Sequence, residues 1–281
     1  MVEIKNLHFG YRENKQVIKC LDLNLESGHI YGLLGKNGAG KSTLLKNITG
    51  FSFPQQGACL FKGVSVSKRS VAVLEDIYFL PEDIFVPNLT PRQFEAGTGY
   101  FYPKFNQAEF YNNLKVLDVD ADEVMDKQSF GQQKKAMIAF GLAAGTSLLV
   151  MDEPTNGLDI PSKVQFRKLI ASILTIDRCV VIATHQVRDL DSLIDTLLVL
   201  HNGEIKINQS IDVIQEKLLF ENYNDTEDLD ILYEESSPKG KNVIVKNTSG
   251  EYSKIDLELL FNAIIVDNEA VLEKLISSNN D

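Results

Sequence analysis

Gly35-Lys36-Asn37-Gly38-Ala39-Gly40-Lys41-Ser42 satisfies every fixed position of G-x-x-x-x-G-K-[ST], and its flanks dictate how the chain must run there. Before it, Ile30-Tyr31-Gly32-Leu33-Leu34 is a short apolar run of buried-strand type; after it, Lys41 to Ile48 reads as the first turns of a helix. A strand, a glycine-rich turn and a helix start together make a nest of backbone N–H donors, reinforced by the field of the helix N-terminus. That arrangement suits the β- and γ-phosphates of a nucleotide. Gly35, Asn37, Gly38, Ala39 and Gly40 supply backbone, Lys41 supplies a point charge, and Ser42, followed by Thr43, places a hydroxyl to ligate Mg²⁺.

A second segment carries carboxylates. Leu148-Leu149-Val150-Met151 is an apolar strand ending at Asp152, where a carboxylate can hold Mg²⁺ opposite Ser42. Glu153 stands one residue beyond the strand, placed to orient and deprotonate an attacking water. An Asp-Glu pair alone is a weak signal. Here it follows a phosphate loop and continues into Pro154-Thr155-Asn156-Gly157-Leu158-Asp159.

The rest of the chain reads as a mixed α/β core with an insertion. Val2 to Leu25 alternates apolar and polar residues as antiparallel strands do, with Asn14-Lys15 near the turn. Strand-like runs return at 58–61, 77–80, 148–151, 180–184 and 197–200. Between the second and third of these lies a helical lobe at roughly 85–145. Its first helix opens at Thr90 as cap with Pro91 in the first position. The apolar runs are strand-length, far short of the ~20 residues that span a bilayer. Three widely spaced cysteines, Cys20, Cys59 and Cys179, suggest neither a disulfide framework nor a zinc site, consistent with a reducing cytosol.

The formal charge of −11 is unevenly placed, with 16 acidic against 6 basic residues from Ile211 to Asp281. A near-neutral remainder has no basic stripe, so no nucleic-acid partner is expected. Within the acidic C-terminal region, Ile211 to Phe220 reads as an amphipathic helix. Leu229 to Tyr233 and Asn242 to Lys246 read as strands around a turn at Ser236-Ser237-Pro238-Lys239-Gly240, and Asp256 to Ile276 as one or two helices. The expected division is a nucleotide-binding domain over 1–209 and an accessory α/β region over 210–281.

The residues also carry a family resemblance. From about residue 2 to 209 the chain resembles ABC-type ATPase subunits, whose fold is a P-loop NTPase core with an antiparallel β subdomain and an inserted helical lobe. Ser129-Phe130-Gly131-Gln132 lies about twenty residues before Asp152 and precedes a helix-like Lys134 to Ala144. The resemblance implies that it is the signature segment, which closes over nucleotide held by a second subunit. Ser129, Gly131 and Gln132 match that segment; Gln128 replaces the usual leucine and Phe130 the usual first glycine. It further implies that His185 is the switch histidine donating to γ-phosphate, that Asp159 communicates across the dimer, and that Tyr11 stacks on adenine. Glu82 stands where the family has a Mg²⁺-linked glutamine.

The implied activity is MgATP hydrolysis by a homodimer, or a heterodimer with another such subunit. The implied partner is a membrane permease on a separate chain, which places the ATPase at the cytoplasmic face of the membrane. The resemblance is nearest to bacterial exporter-type systems, and an aromatic-rich stretch (Phe85, Phe94, Tyr100, Phe101, Tyr102, Phe105, Phe110) offers either a permease groove or the lobe's own core. Two other readings stay open. One is a soluble ABC-type ATPase acting on DNA or ribosomes, against which stand only 86 residues between Ser42 and Ser129 and no sustained heptads. The other is a regulatory nucleotide-binding module in which Phe130 and Glu82 mark weakened catalysis.

Overall fold

A computed structural model describes residues 1–12, 15–223, 230–238, 240–248, 250 and 252–276. Asn14, Leu229 and Lys239, named above in expected turns and strands, lie outside the described residues. In chain order the elements begin with β1 (Val2–Arg12), β2 (Lys15–Leu25), β3 (Ile30–Leu34), α1 (Lys41–Ile48), β4 (Gln56–Phe61) and β5 (Val64–Ser65). Then come α2 (Val71–Leu74), β6 (Ile77–Leu80), α3 (Pro91–Thr98), α4 (Gln107–Val116), α5 (Phe130–Ala143), β7 (Leu148–Asp152) and α6 (Ile160–Ile173). The chain continues through β8 (Cys179–Thr184), β9 (Thr196–His201), β10 (Glu204–Ser210), α7 (Ile211–Lys217), β11 (Leu218–Tyr223), β12 (Ile231–Ser237), β13 (Gly240–Lys246), α8 (Leu257–Ile265) and α9 (Glu269–Ile276).

The central sheet has the order β10-β9-β3-β8-β7-β6. Its five strands from β9 to β6 pair in parallel, and β10 pairs antiparallel at one edge. Strands buried on both faces need apolar residues at every position, which is why these segments read as continuous hydrophobic runs. Successive side chains point to opposite faces, so each strand feeds two cores. Leu33, Val150, Val181 and Leu198 join one core with Leu44, Leu45 and Ile48 of α1 and the inward face of the antiparallel sheet β2-β1-β4-β5. Leu34, Met151, Ile182 and Val199 join the other core, with α5, α6 and the helical lobe.

The expected lobe start is present in detail. Thr90 accepts from the Gln93 backbone N–H while the Gln93 side chain accepts from Thr90 N–H, a complete capping box with Pro91 at the head of α3. Phe140 of α5, only 1% exposed, ties the lobe to the sheet. Its ring lies 4.9 Å from Phe94, 5.0 Å from Phe105 and 5.9 Å from Tyr78 of β6. The aromatic stretch therefore divides: Phe110 is buried and Phe94, Tyr102 and Phe105 pack on the core, whereas Phe85, Tyr100 and Phe101 face outward.

The C-terminal region differs from the sequence reading at its hairpin, where Ser236, Ser237 and Gly240, expected in the turn, extend β12 and β13, and at its first helix. The helix starting at Ile211 stops at Lys217, and Leu218 to Tyr223 form β11 instead, pairing with β13 from Leu218↔Lys246 to Tyr223↔Lys241. The apolar Leu218-Leu219-Phe220 run satisfies either period, and the available strand partner decides the outcome. Four elements have no counterpart in the sequence reading: the short β5 and α2, the helix α6 and the edge strand β10. The start of α6 does carry a signal, Asp159 as cap followed by Pro161 in the first turn. The three-stranded sheet β11-β13-β12 and helices α8 and α9 pack on the core beneath the central sheet, with Phe220, Ile244, Leu260, Ile264 and Val271 in one continuous cluster.

Replacing Phe140 by Ala removes the ring that joins lobe to sheet. Urea denaturation is expected to show a loss of about 3–5 kcal/mol, the range for large aromatic truncations in cores; a loss below about 1 kcal/mol would contradict this packing role.

Candidate functional site

The parallel register brings the chemistry to one end of the central sheet. Leu34 pairs with Thr184 and Asp152 with Ala183, so β3, β7 and β8 end side by side and the segments that follow them meet. The loop after β3 turns through Gly38 and Gly40, both at positive φ (80° and 106°), where a β-carbon is disfavoured. Gly40 caps α1 without a side-chain bond, so the N–H groups of the first turn stay available to a ligand. Gly35 cannot carry a side chain, because a β-carbon there would lie 2.8 Å from the Leu200 carbonyl oxygen.

Lys41 is buried, its Nζ donating to the Gly35 carbonyl at 2.8 Å and lying 3.8 Å from Glu153 Oε1. Burial pushes its pKa down, opposed by the charges of Glu153, Asp152 and Glu82. Asp152, 2% exposed, has its pKa raised by burial, partly offset by the hydrogen bond from Ser42. Its Oδ1 has no hydrogen-bond partner. An unpartnered buried carboxylate oxygen beside the Ser42 hydroxyl fits a hard divalent cation that prefers oxygen ligands.

Glu153 is the junction of the site. Its backbone has φ 46°, in the left-handed region rarely occupied by a side-chain-bearing residue, and its N–H donates to Ala183 at 2.8 Å. The carboxylate folds back on the end of β8: Oε2 accepts from Thr184 Oγ1 at 2.8 Å, and Oε1 accepts from His185 N–H at 2.9 Å. His185 Nδ1 lies 2.7 Å from the same Oε1. The loop carboxylate Glu82 accepts from Asn156 Nδ2 at 3.4 Å.

These groups line a cleft of about 730 Å³ with Tyr11, Asn37, Gly38, Gly40, Lys41, Ser42 and Thr43. Tyr11 is 64% exposed, its ring edge-on to Phe9 and its hydroxyl 3.1 Å from Thr43 Oγ1, so one aromatic face is open above the phosphate loop. Gly35 and Ala39 belong to the loop scaffold, where the Ala39 N–H donates to Lys36 O. Arg12, Lys15, Val17 and Lys36 also line the cleft and are absent from the sequence-derived set. Their signal was position: Arg12 and Lys15 flank the hairpin beside Tyr11, and Val17 alternates inward from it.

Ser129, Gly131, Gln132 and Asp159 are not brought to this cleft. Ser129 caps α5, its hydroxyl accepting from the Gln132 N–H at 3.3 Å. Gly131 packs so closely that a β-carbon would lie 2.8 Å from the Gly157 carbonyl oxygen, and the Phe130 ring covers Gly157. Asp159 caps α6 through the Ser162 N–H at 2.8 Å, and the bonds from Ser162 hold its carboxyl below the usual range. The signature-like segment and the loop after Glu153 thus form one packed surface on the same molecule.

The family model described as ABC transporter matches residues 18–156. A Bacillus subtilis ABC transporter ATP-binding protein, YtrB, is 26% identical over 220 residues, covering 78% of this chain and 75% of the relative. An ABC transporter ATP-binding protein of Pyrococcus furiosus is 30% identical over 233 residues, covering 79% of this chain and 85% of the relative. Among solved structures, an ATP-binding subunit of an ABC transporter superposes with a TM-score of 0.67 at 24% identity, over 76% of this chain and 92% of that one. With the phosphate loop, the β7 carboxylates and the strand order of the central sheet, these matches establish that the chain belongs to the ABC transporter ATP-binding family.

Proposed function

We propose that this chain is the MgATP-binding and hydrolysing motor subunit of a transporter, acting as a dimer that drives a separate membrane permease. The observation that carries this reading is the division of the site. Lys41, Ser42, Asp152, Glu153 and His185 share one cleft, while Ser129, Gly131 and Gln132 lie outside it. A second copy, or a related subunit, docked head to tail supplies those groups and closes the nucleotide between two chains.

ATP binds with adenine on the open face of Tyr11 and the phosphates in the nest from Gly35 to Thr43. Ser42 and Asp152 hold Mg²⁺, which neutralises phosphate charge when bound. Lys41 and the loop N–H groups stabilise charge on the transferred phosphoryl group. A water is oriented by Glu153, whose Oε2 accepts one bond from Thr184 and keeps an acceptor position free. As the water oxygen bonds to γ-phosphorus, the bond to the β-phosphate bridging oxygen breaks and the proton passes to Glu153. His185 donates to Glu153 through Nδ1–H and to γ-phosphate through Nε2–H, a pair of bonds that needs a proton on both ring nitrogens. Product release reopens the dimer.

No helix among the described residues is long and apolar enough to cross a membrane. The outward-facing Phe85, Tyr100 and Phe101, respectively 88%, 71% and 59% exposed, mark the lobe face proposed to receive the permease at the cytoplasmic side of the membrane. We assign residues 1–209 to the ATPase and 210–281 to an accessory region packed against it.

Three outcomes test this reading. Glu153→Gln is expected to lower kcat for ATP hydrolysis by about 10²–10⁴-fold, the range for losing a positioned base, while ATP binding measured by calorimetry persists; parental turnover would reject the assignment. Glu82→Gln removes a negative charge beside the triphosphate, so a titration of ATPase rate against Mg²⁺ should shift. An unchanged rate and Mg²⁺ dependence would contradict a role for Glu82.

The third outcome concerns Asp152. Because burial raises its folded-state pKa, the folded protein retains a proton that the unfolded chain loses near pH 4. Nucleotide-free stability therefore falls as pH rises through that folded pKa, and Asp152→Asn removes this fall. The stability advantage of Asp152→Asn in urea should widen from pH 4 to pH 7, with loss of Mg²⁺-dependent nucleotide binding. A gap that narrows with rising pH would contradict the assignment.

A further inference from the structure

Lys134, on the first turn and a half of α5, is fully buried at 0% exposure. A lysine loses its water only at substantial cost, and a well-packed apolar residue in its place would stabilise the fold as well or better. Its ammonium donates to the backbone carbonyl of Glu153 at 2.6 Å and reaches the carbonyl of Glu82 at 3.4 Å. It also sits 5.3 Å from the centre of the Phe130 ring, within cation–π range. Three loops thus converge on one charged group: the Glu82 loop, the turn after Asp152 and the start of the signature helix.

The position matters because of what Glu153 must do. Its left-handed φ of 46° stores strain that the surroundings have to hold. On one side the Glu153 N–H is fixed to Ala183; on the other its carbonyl accepts from Lys134 and from the Asn156 N–H at 3.2 Å. The Lys134 bond is the shorter and comes from a different element. It runs from the helix capped by Ser129 to the residue whose carboxylate faces the cleft. Burial pushes the Lys134 pKa down, opposed by the charges of Glu82, Glu153, Asp152 and Asp83.

We propose that Lys134 is a positioning residue. Its ammonium clamps the Glu153 backbone, so that displacement of the signature helix by nucleotide closure or permease movement is transmitted to the water-activating carboxylate. Phe130, in place of the usual glycine, is part of the same device, since its ring covers Gly157 and packs on the ammonium. This inference rests on the ATPase reading above.

The experiment compares steady-state ATP hydrolysis, ATP affinity and thermal midpoint for the full chain and for Lys134→Met, Lys134→Gln and Lys134→Arg. Met keeps the length and apolar stem but removes the donor. It is expected to lower kcat about ten- to a hundredfold, the effect of a misplaced catalytic group, with KM and ATP Kd within about twofold and the thermal midpoint unchanged or raised. Gln is the second neutral variant, used if Met does not fold, with the same expectation of lowered kcat at unchanged KM. Arg, which retains charge and donors, should recover at least about tenfold over the neutral variants. Parental kcat in a folded Met or Gln variant, or a proportional loss of ATP affinity, would overturn the inference; so would failure of all three variants to fold, which would make Lys134 a structural residue only. A parental chain that does not hydrolyse ATP at all would instead reject the ATPase reading, which separates the two failures.

Discussion

Parallel pairing of β3, β8 and β7 in one register is the constraint on which the rest depends. Their strands end within one residue of the same level, Leu34 paired with Thr184 and Asp152 with Ala183, so the phosphate loop, His185 and the two carboxylates meet at one end of the sheet. The alternation of side chains then seals both faces of the sheet, one against α1 and the antiparallel sheet, the other against α5 and α6. The site stands on the rim of a sheet buried on both sides, where strand ends are rigid and loops are free to be polar.

Charge is handled locally at that rim. Asp152, Glu153 and Glu82 would repel one another at such close quarters; Lys41 lies among them from the loop side and Lys134 from the helix side. Neither lysine is exposed, and neither could stand alone in an apolar interior. The arrangement links the substitution at Glu82 to a buried cation contributed by α5. Phe130 is absorbed in the same way, lying over Gly157 rather than projecting as an obstacle.

Much of this was legible in the sequence because the signals were local. The phosphate loop carries its own strand and helix, Thr90 and Pro91 mark a helix start, and the central strands are apolar up to their ends. What was not legible depends on partners distant in sequence. Leu218 to Phe220 became a strand because β13 was there to pair with it. Lys134 looked like an ordinary polar residue of a helix start, and only the meeting of α5 with the Glu82 and Glu153 loops buries it. Arg12, Lys15 and Val17 gained a place in the cleft from hairpin geometry, not from any motif.

The central claim is that the cleft is half of a site completed by another chain. Its direct test is inter-subunit disulfide formation between Asn37→Cys and Ser129→Cys, made in a Cys20→Ser, Glu153→Gln background so that the one exposed native thiol among the described residues is absent and turnover is blocked. The account predicts a covalent dimer that forms under mild oxidation with MgATP and not without it. Cross-linking that is indifferent to nucleotide, or a chain that stays monomeric with MgATP bound, would contradict it.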